Sequence, residues 1–466
     1  MREGFAIVVD VGKTLAKVSL WSEDGRMLDR QVRPNRARER EGIARLDILG
    51  IAAWLPEALA KYAAEPIKAI VPVAHGAGIV AMKDGDLAFL PLDYEAAPPP
   101  DIRDAYRSQR DSFAATGSPL LPGGLNLGAQ LHWLEQREPG CLDGCTLLPW
   151  AQYWAWFLSG VAVSEVTSLG CHSDLWDPRI GSFSTLAERM GWAQRLAPLA
   201  RADEAIGTLC PELAEATGLS AATRVYAGLH DSNAALLAAR GFPRLADRDA
   251  TVLATGTWFI AMRHTSARAT VADLSEARDC LVNVDPFGQP VPSARFMGGR
   301  EIESLIELDT RQVDIKPDQP QLLHAVPSLL ESSAMVLPTL APGCGPFPWR
   351  HGGWINRPAD WHSRRAGACL YAALMTDASL DLIGSRDALV VEGRFAEAQV
   401  FVRALAALRP ETAVYVANEH NDVALGALRL LDPELAPAGR LHEVVPLDGD
   451  LGGYRACWMS RLSTAA

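Results

Sequence analysis

One local pattern occurs twice in this chain and constrains its fold more than any other. Residues 6–21 read AIVVDVGKTLAKVSLW: an apolar run, a turn at Gly12-Lys13-Thr14, then an alternating run. In the second arm Ala16, Val18 and Leu20 share one face while Lys17, Ser19 and Trp21 share the other. That period of two predicts a strand. Residues 251–262, TVLATGTWFIAM, repeat the plan, with Thr255-Gly256-Thr257 at the turn. Two strand–turn–strand units half a chain apart, each opening an α/β segment, predict a duplicated architecture. Chance similarity of two common hairpins is the alternative.

The tripeptide Gly12-Lys13-Thr14 also invites a phosphate-loop reading, which the spacing excludes. Such a loop needs a glycine five residues earlier and a helix immediately after. Ile7 stands at the first position, and a strand pattern follows the turn.

At 466 residues the chain is long enough for two or three domains. Hydrophobic residues at 48% and charged residues at 21% describe an ordinary globular protein. A formal net charge of −12 argues against nucleic acid or an anionic membrane as the main partner. An anionic ligand would need a local positive site. The eight cysteines are scattered, and the nearest pair, Cys141 and Cys145, lacks zinc or redox spacing. With neither a leader-like nor a membrane-spanning apolar run, the expectation is a cytoplasmic protein with reduced thiols.

The N-terminal half mixes a strand pattern at 67–78 with helical patterns at 51–64 and 128–139. The proline-rich 94–106 is expected to be a surface loop. Toward the C-terminus, 388–393 (strand), 395–410 (helix stopped by Pro410), 412–418 (strand) and 422–431 (helix) alternate. That order implies parallel neighbours with a ligand crevice at the strand ends.

Both hairpin turns offer main-chain N–H groups and hydroxyls with little bulk, a sensible grip for a triphosphate held from two domains. Asp10 at the mouth of the first turn suits Mg²⁺, and Lys13 or Lys17 suits charge neutralisation. Ordinary hairpin chemistry explains the same residues taken singly. Asp231, in GLHDSNAALLAA, stands where a helix begins and reads as an N-cap. An ionised carboxylate there can also take a hydroxyl proton during phosphoryl transfer. His75, His172 and His230 are open to ligand contact or to packing. The aromatic run 148–160 reads as core rather than a sugar platform.

Taken in order, these stretches resemble the FGGY family of carbohydrate kinases, of the actin-like ATPase superfamily. DVGKTLAKV is similar to its first phosphate motif, TGTW to its second, and GLHDSNAA to the motif holding its catalytic base. VVEGRFAEAQVFVRALAAL with NDVALGAL resembles its adenosine-side segment. The resemblance implies two related actin-like (ribonuclease H-like) α/β domains with a central cleft. Residues 1–235 would bind sugar and carry the first hairpin; 236–466 would carry the second hairpin and bind adenosine. ATP and Mg²⁺ would be the cofactors. Asp231 would be general base and Asp10 would lie near the metal, with Gly12, Lys13, Thr14 and Lys17 around the first phosphate turn. Thr255, Gly256 and Thr257 would form the second turn, and Gly393 and Arg394 would lie beside adenosine. His75, Gln130 and His230 would contact sugar.

Two departures bear on nucleotide preference: Glu392 replaces a family glycine in EGRFAEA, and APGCGPFPW (341–349) replaces a G-E-R segment. Within the family, GLHDS, TGTW, LPGGLNLGAQLHWL and VTSLGCHSDLW are most similar to rhamnulokinases, implying L-rhamnulose 1-phosphorylation. Fuculose, xylulose, ribulose and polyol kinases share the scaffold. The partner would be a small sugar, with neither nucleic acid nor membrane and a homodimer left open. An actin-like ATP switch and a regulator that has lost catalysis are the readings from other classes.

Overall fold

The apolar run Phe5–Val11 is the middle of a sheet in the computed structural model, which describes residues 4–265, 273–307, 309, 314–417 and 423–464. Ile7, Val8, Val9 and Val11 are all buried, because both faces of the sheet are covered. Leu15–Trp21 returns antiparallel, setting Asp10 opposite Lys17, and Met27–Pro34 adds antiparallel beyond it. On the other side Ile67–Ala74 runs parallel, then Arg224–Tyr226 parallel, then Ala205–Thr208 antiparallel at the edge. The polar alternation of 16–21 does not mark a wet face. Ser19 and Trp21 are buried, with the Trp21 indole donating to Ser19 Oγ at 2.8 Å.

The second hairpin nucleates a sheet of the same design. Ala250–Thr255 pairs antiparallel with Phe259–His264, which pairs antiparallel with Pro290–Phe296. Its other neighbour, Ala388–Gly393, is parallel, followed by Ala413–Ala417 parallel and Leu441–Glu443 antiparallel. Strand order and strand sense match those of the first sheet over these six strands; Cys280–Val284, beyond Pro290–Phe296, extends the second sheet alone, and Leu229–His230 adds to the first alone. Chance pairing of two hairpins does not produce that agreement; duplication does.

The chain divides into two compact units. One holds Met1–Pro243, Val282–Pro290 and Asp422–Ala438; the other holds Arg244–Leu281, Val291–Asn421 and Gly439–Ala466. The helix Val423–Leu428, read from sequence as a continuation of the second α/β alternation, therefore packs within the first unit. Asn418, Asn421 and Asp422, which end segments named above, lie outside the described residues.

Three sequence expectations need local correction. The proline-rich 94–106 is not loop throughout: a helix, Pro100–Gln109, begins with proline in its first turn, where a missing N–H costs nothing. The helix expected over 51–64 begins at Ile48 and carries Pro56 inside it. The helix expected from 395 is Gln399–Leu408, preceded by a tight turn at Arg394–Glu397.

Helices Asp231–Ala239 and Val423–Leu428 approach closely through a glycine. A Cβ at Gly426 would stand 1.8 Å from the Ala234 carbonyl oxygen. Backbone cannot yield as a flexible side chain would, so Gly426→Ala must push the helices apart. We expect a loss of about 1–3 kcal/mol, read from the urea unfolding midpoint.

Candidate active site

Register places the polar groups of the first unit. Val11 pairs with Ala74, and Ala74 pairs with His230 on its other side, in parallel strands. The next residues, Gly12, His75 and Asp231, therefore leave the sheet side by side at the carboxyl ends of three neighbouring strands. That edge is where open α/β sheets bind ligands.

Asp231 is the first residue of the helix Asp231–Ala239, and His230 holds the cap position with no side-chain capping bond. The N-cap reading is corrected: this carboxylate is not spent on capping. His230 Nε2 lies 3.2 Å from Asp231 Oδ1, and the Asn233 amide nitrogen lies 3.4 Å from His230 Nδ1. With Nδ1 accepting from Asn233, the ring proton falls on Nε2 and points at Asp231. Burial opposes ionisation of Asp231, but the hydrogen bond from His230, joined by one from the Ser232 main chain, holds the carboxyl below the ordinary range. The side chain is one-third exposed, so a ligand can reach it.

At His75 and near it stand buried groups with unused polar atoms. The His75 ring packs 5.4 Å from Tyr94 and 5.9 Å from Trp150. Gln130 spends its amide nitrogen on the Ala77 carbonyl at 3.0 Å and the Gly124 carbonyl at 2.5 Å. His75 Nδ1, Gln130 Oε1 and Trp150 Nε1 are buried without a hydrogen-bond partner among the described residues. Such groups are costly unless something else meets them, and a polyhydroxyl ligand supplies donors and acceptors of that kind. His172 Nδ1 meets the Leu125 carbonyl at 2.7 Å, and its ring lies 6.5 Å from that of His230.

The first turn borders this pocket. Gly12 N donates to Leu15 O at 3.0 Å, while Asn35 ties down the Gly12 and Thr14 carbonyls at 2.9 and 2.8 Å. Lys17 Nζ reaches Asp10 Oδ2 at 2.9 Å. Lys13 turns the other way: its ammonium pairs with buried Asp93, lies 3.5 Å from Glu95 and sits 4.5 Å from the Tyr94 ring centre. Asp93 and Tyr94 went unassigned in the sequence, and Trp150 reads there only as core. Their relation to Lys13 and His75 spans tens of residues and leaves no local pattern.

In the second unit Thr255, Gly256, Thr257, Gly393 and Arg394 come together. Thr255 pairs with Gly393 across parallel strands. The Thr255 hydroxyl donates to the Glu392 carbonyl and accepts from Phe395 N at 3.1 Å. Gly393 has φ +85°, and a Cβ there would stand 2.2 Å from Thr255 O. Gly299, which sequence reasoning missed, abuts the turn as tightly: a Cβ there would stand 2.1 Å from Gly256 O. The Arg394 guanidinium lies 3.6 Å from Glu303 and 5.1 Å from the Phe395 ring centre.

Residues 5–238 match the model of the FGGY family of carbohydrate kinases, N-terminal domain, and residues 247–438 match carbohydrate kinase FGGY, C-terminal domain. This chain belongs to the FGGY family of carbohydrate kinases, and is thus a phosphotransferase with the two-domain, actin-like (ribonuclease H-like) fold. A solved carbohydrate kinase from Novosphingobium aromaticivorans is 62% identical over 100% of both chains, with a TM-score of 0.96. A xylulose kinase from Rhodospirillum rubrum shares the fold at 17% identity, TM-score 0.79, covering 99% of this chain and 98% of its own. Plasmodium falciparum glycerol kinase, solved with ADP, does so at 11% identity and TM-score 0.81, with coverages of 99% and 98%. No curated protein matches the chain. Among the described residues no helix is long and apolar enough to cross a membrane, and all eight cysteines are free.

Burial pushes the His75 imidazole down to about 4 from 6.5, so it is neutral in the folded protein near neutral pH. The unfolded chain takes up the proton first as pH falls. Stability should therefore drop between pH 6.5 and about 4, by roughly 3 kcal/mol from this group. Urea unfolding of His75→Gln across that window should show a correspondingly shallower acid loss than wild type.

Proposed function

We propose that the chain transfers the γ-phosphate of ATP to a hydroxyl of a neutral ketose, with Asp231 as general base. The observation that carries this reading is the shared edge of Gly12, His75 and Asp231, with an ionised, reachable carboxylate beside buried unpartnered polar atoms. Asp231 accepts the hydroxyl proton as the oxygen attacks phosphorus. His230 orients the carboxylate through Nε2. His75, Gln130 and Trp150 meet the remaining hydroxyls, and burial of these groups keeps competing water away. The ADP held by Plasmodium falciparum glycerol kinase supports an adenine nucleotide.

Residues 1–235 are assigned to sugar and the first phosphate turn, and residues 236–466 to the second turn and adenosine. Gly12, Lys13, Thr14 and Lys17, and separately Thr255, Gly256 and Thr257, offer N–H groups, hydroxyls and positive charge to phosphate oxygens. Gly393 and Arg394 take the adenosine side. Asp10 is the candidate for Mg²⁺. Among the described residues no group of three or more His, Cys, Asp or Glu side chains could hold a metal ion. A single carboxylate fits Mg²⁺ that keeps its waters and rides on the nucleotide, where it would neutralise phosphate charge. Within the ketoses, a 6-deoxy-ketohexose such as L-rhamnulose, giving the 1-phosphate, is the first candidate on the sequence stretches quoted above. Xylulose is compatible with the same pocket.

A neutral substrate is preferred over an aldonic acid because Lys13, the cation that bears on His75, is already matched by Asp93 and Glu95. A panel of ketoses, polyols and gluconate with ATP and Mg²⁺, monitored by ADP release, should favour a neutral ketose; turnover of gluconate alone overturns that preference. Asp231→Asn should keep ATP binding by calorimetry while sugar-dependent ADP release falls roughly 10²–10⁴-fold. Near wild-type turnover in that variant would mean another group takes the proton.

A further inference from the structure

His230 lies in a two-residue strand, Leu229–His230, bonded on one side to Ile67–Ala74. It is 5% exposed, so its main-chain N–H needs an acceptor inside the protein. That acceptor is Thr167 Oγ1, at 2.9 Å and 63 residues away in sequence. Thr167 is fully buried, and its own proton goes to Glu165 Oε2 at 2.5 Å. The same carboxylate oxygen takes Thr167 N at 2.9 Å and Ser168 N at 3.3 Å, capping the short helix Val166–Leu169. Glu165 is as buried as Thr167, and its Oε1 has no partner among the described residues. Burial, only partly offset by those three hydrogen bonds, pushes its carboxyl up to about 7. A costly buried carboxylate thus fixes the rotamer of one hydroxyl, and that hydroxyl holds the residue before Asp231.

We propose that Thr167, oriented by Glu165, is a positioning residue for Asp231: it anchors the strand end that carries both Asp231 and the His230 ring. The inference rests on Asp231 being the general base. A chain of hydrogen bonds, Glu165 to Thr167 to the His230 main chain, then sets where the His230 Nε2 proton meets the carboxylate. Loosening it withdraws that proton. The groups acting on Asp231 are His230, His75 and Ser232, and Tyr94 and Cys171 feel its charge. Of these, His230 is the one that Thr167 grips directly, and with its bond weakened, burial raises the Asp231 carboxyl.

The test is steady-state kinetics against pH for Thr167→Val, which keeps shape but removes the hydroxyl, and Thr167→Ser, which restores it. Folded content is checked by circular dichroism, and Asp231→Asn is assayed in parallel. We expect Thr167→Val to lower kcat roughly ten- to a hundred-fold with KM for ATP little changed. The acid limb of its kcat/KM profile should move to higher pH, and Thr167→Ser should return both quantities to wild type. A purely structural role would reduce the folded fraction without moving the limb. If Asp231→Asn is inactive yet folded Thr167→Val keeps the wild-type kcat and limb, the positioning role is overturned. It is equally overturned if Thr167→Ser is displaced as far as Thr167→Val. If Asp231→Asn is itself fully active, the base assignment has failed instead, whatever Thr167 does. Should Thr167→Val not fold, Thr167→Cys, with a weaker acceptor of similar size, decides the matter: a shifted limb supports the proposal and an unshifted one ends it.

Discussion

The parallel register of Phe5–Val11, Ile67–Ala74 and Leu229–His230 is the constraint on which the first unit depends. Past a register shift at Phe5/Ala6 the parallel pairing is continuous to the carboxyl ends, so the strands finish at one level and whatever follows each emerges at a common edge. Here the three successors are a turn glycine, a buried histidine and a helix-initiating aspartate. Their closeness is a consequence of main-chain hydrogen bonding, with side-chain chemistry added afterwards. The helix that begins at Asp231 contributes in the same sense, since the positive end of its dipole favours a charged carboxylate in its first turn.

Much of this was legible in the sequence. Both hairpins announce themselves because alternation breaks at Gly12 and Gly256 and resumes at once. Asp231 stands out because it opens a helical run immediately after a short apolar segment. What stayed hidden was everything set by tertiary pairing. The pairing of Lys13 with Asp93 is one such case, since 80 residues separate the two. Trp150 reads as core and is core, 2% exposed, yet its neighbour is His75. The membership of Val423–Leu428 in the first unit was equally invisible, since a local α/β rhythm does not say which sheet a helix covers.

Buried polar groups in the first unit differ in how fully they are paired, and two sets illustrate the range. The Glu165–Thr167 pair is internally arranged, with donors and acceptors mostly matched. His75, Gln130 and Trp150 are left open at one atom each. A protein gains nothing in stability from such open groups. On the proposed reading, a ligand held at Asp231 would supply the missing partners.

The second turn has a different implication, one about which substitutions a lineage can tolerate. What Thr255 takes from position 392 is a carbonyl oxygen, and any amino acid supplies one; what the turn takes from position 393 is the want of a Cβ. A glutamate at 392 is thereby compatible with an intact turn. As far as the Thr255 bond is concerned, the first of these adjacent positions accepts any side chain, while the second is held to glycine by geometry.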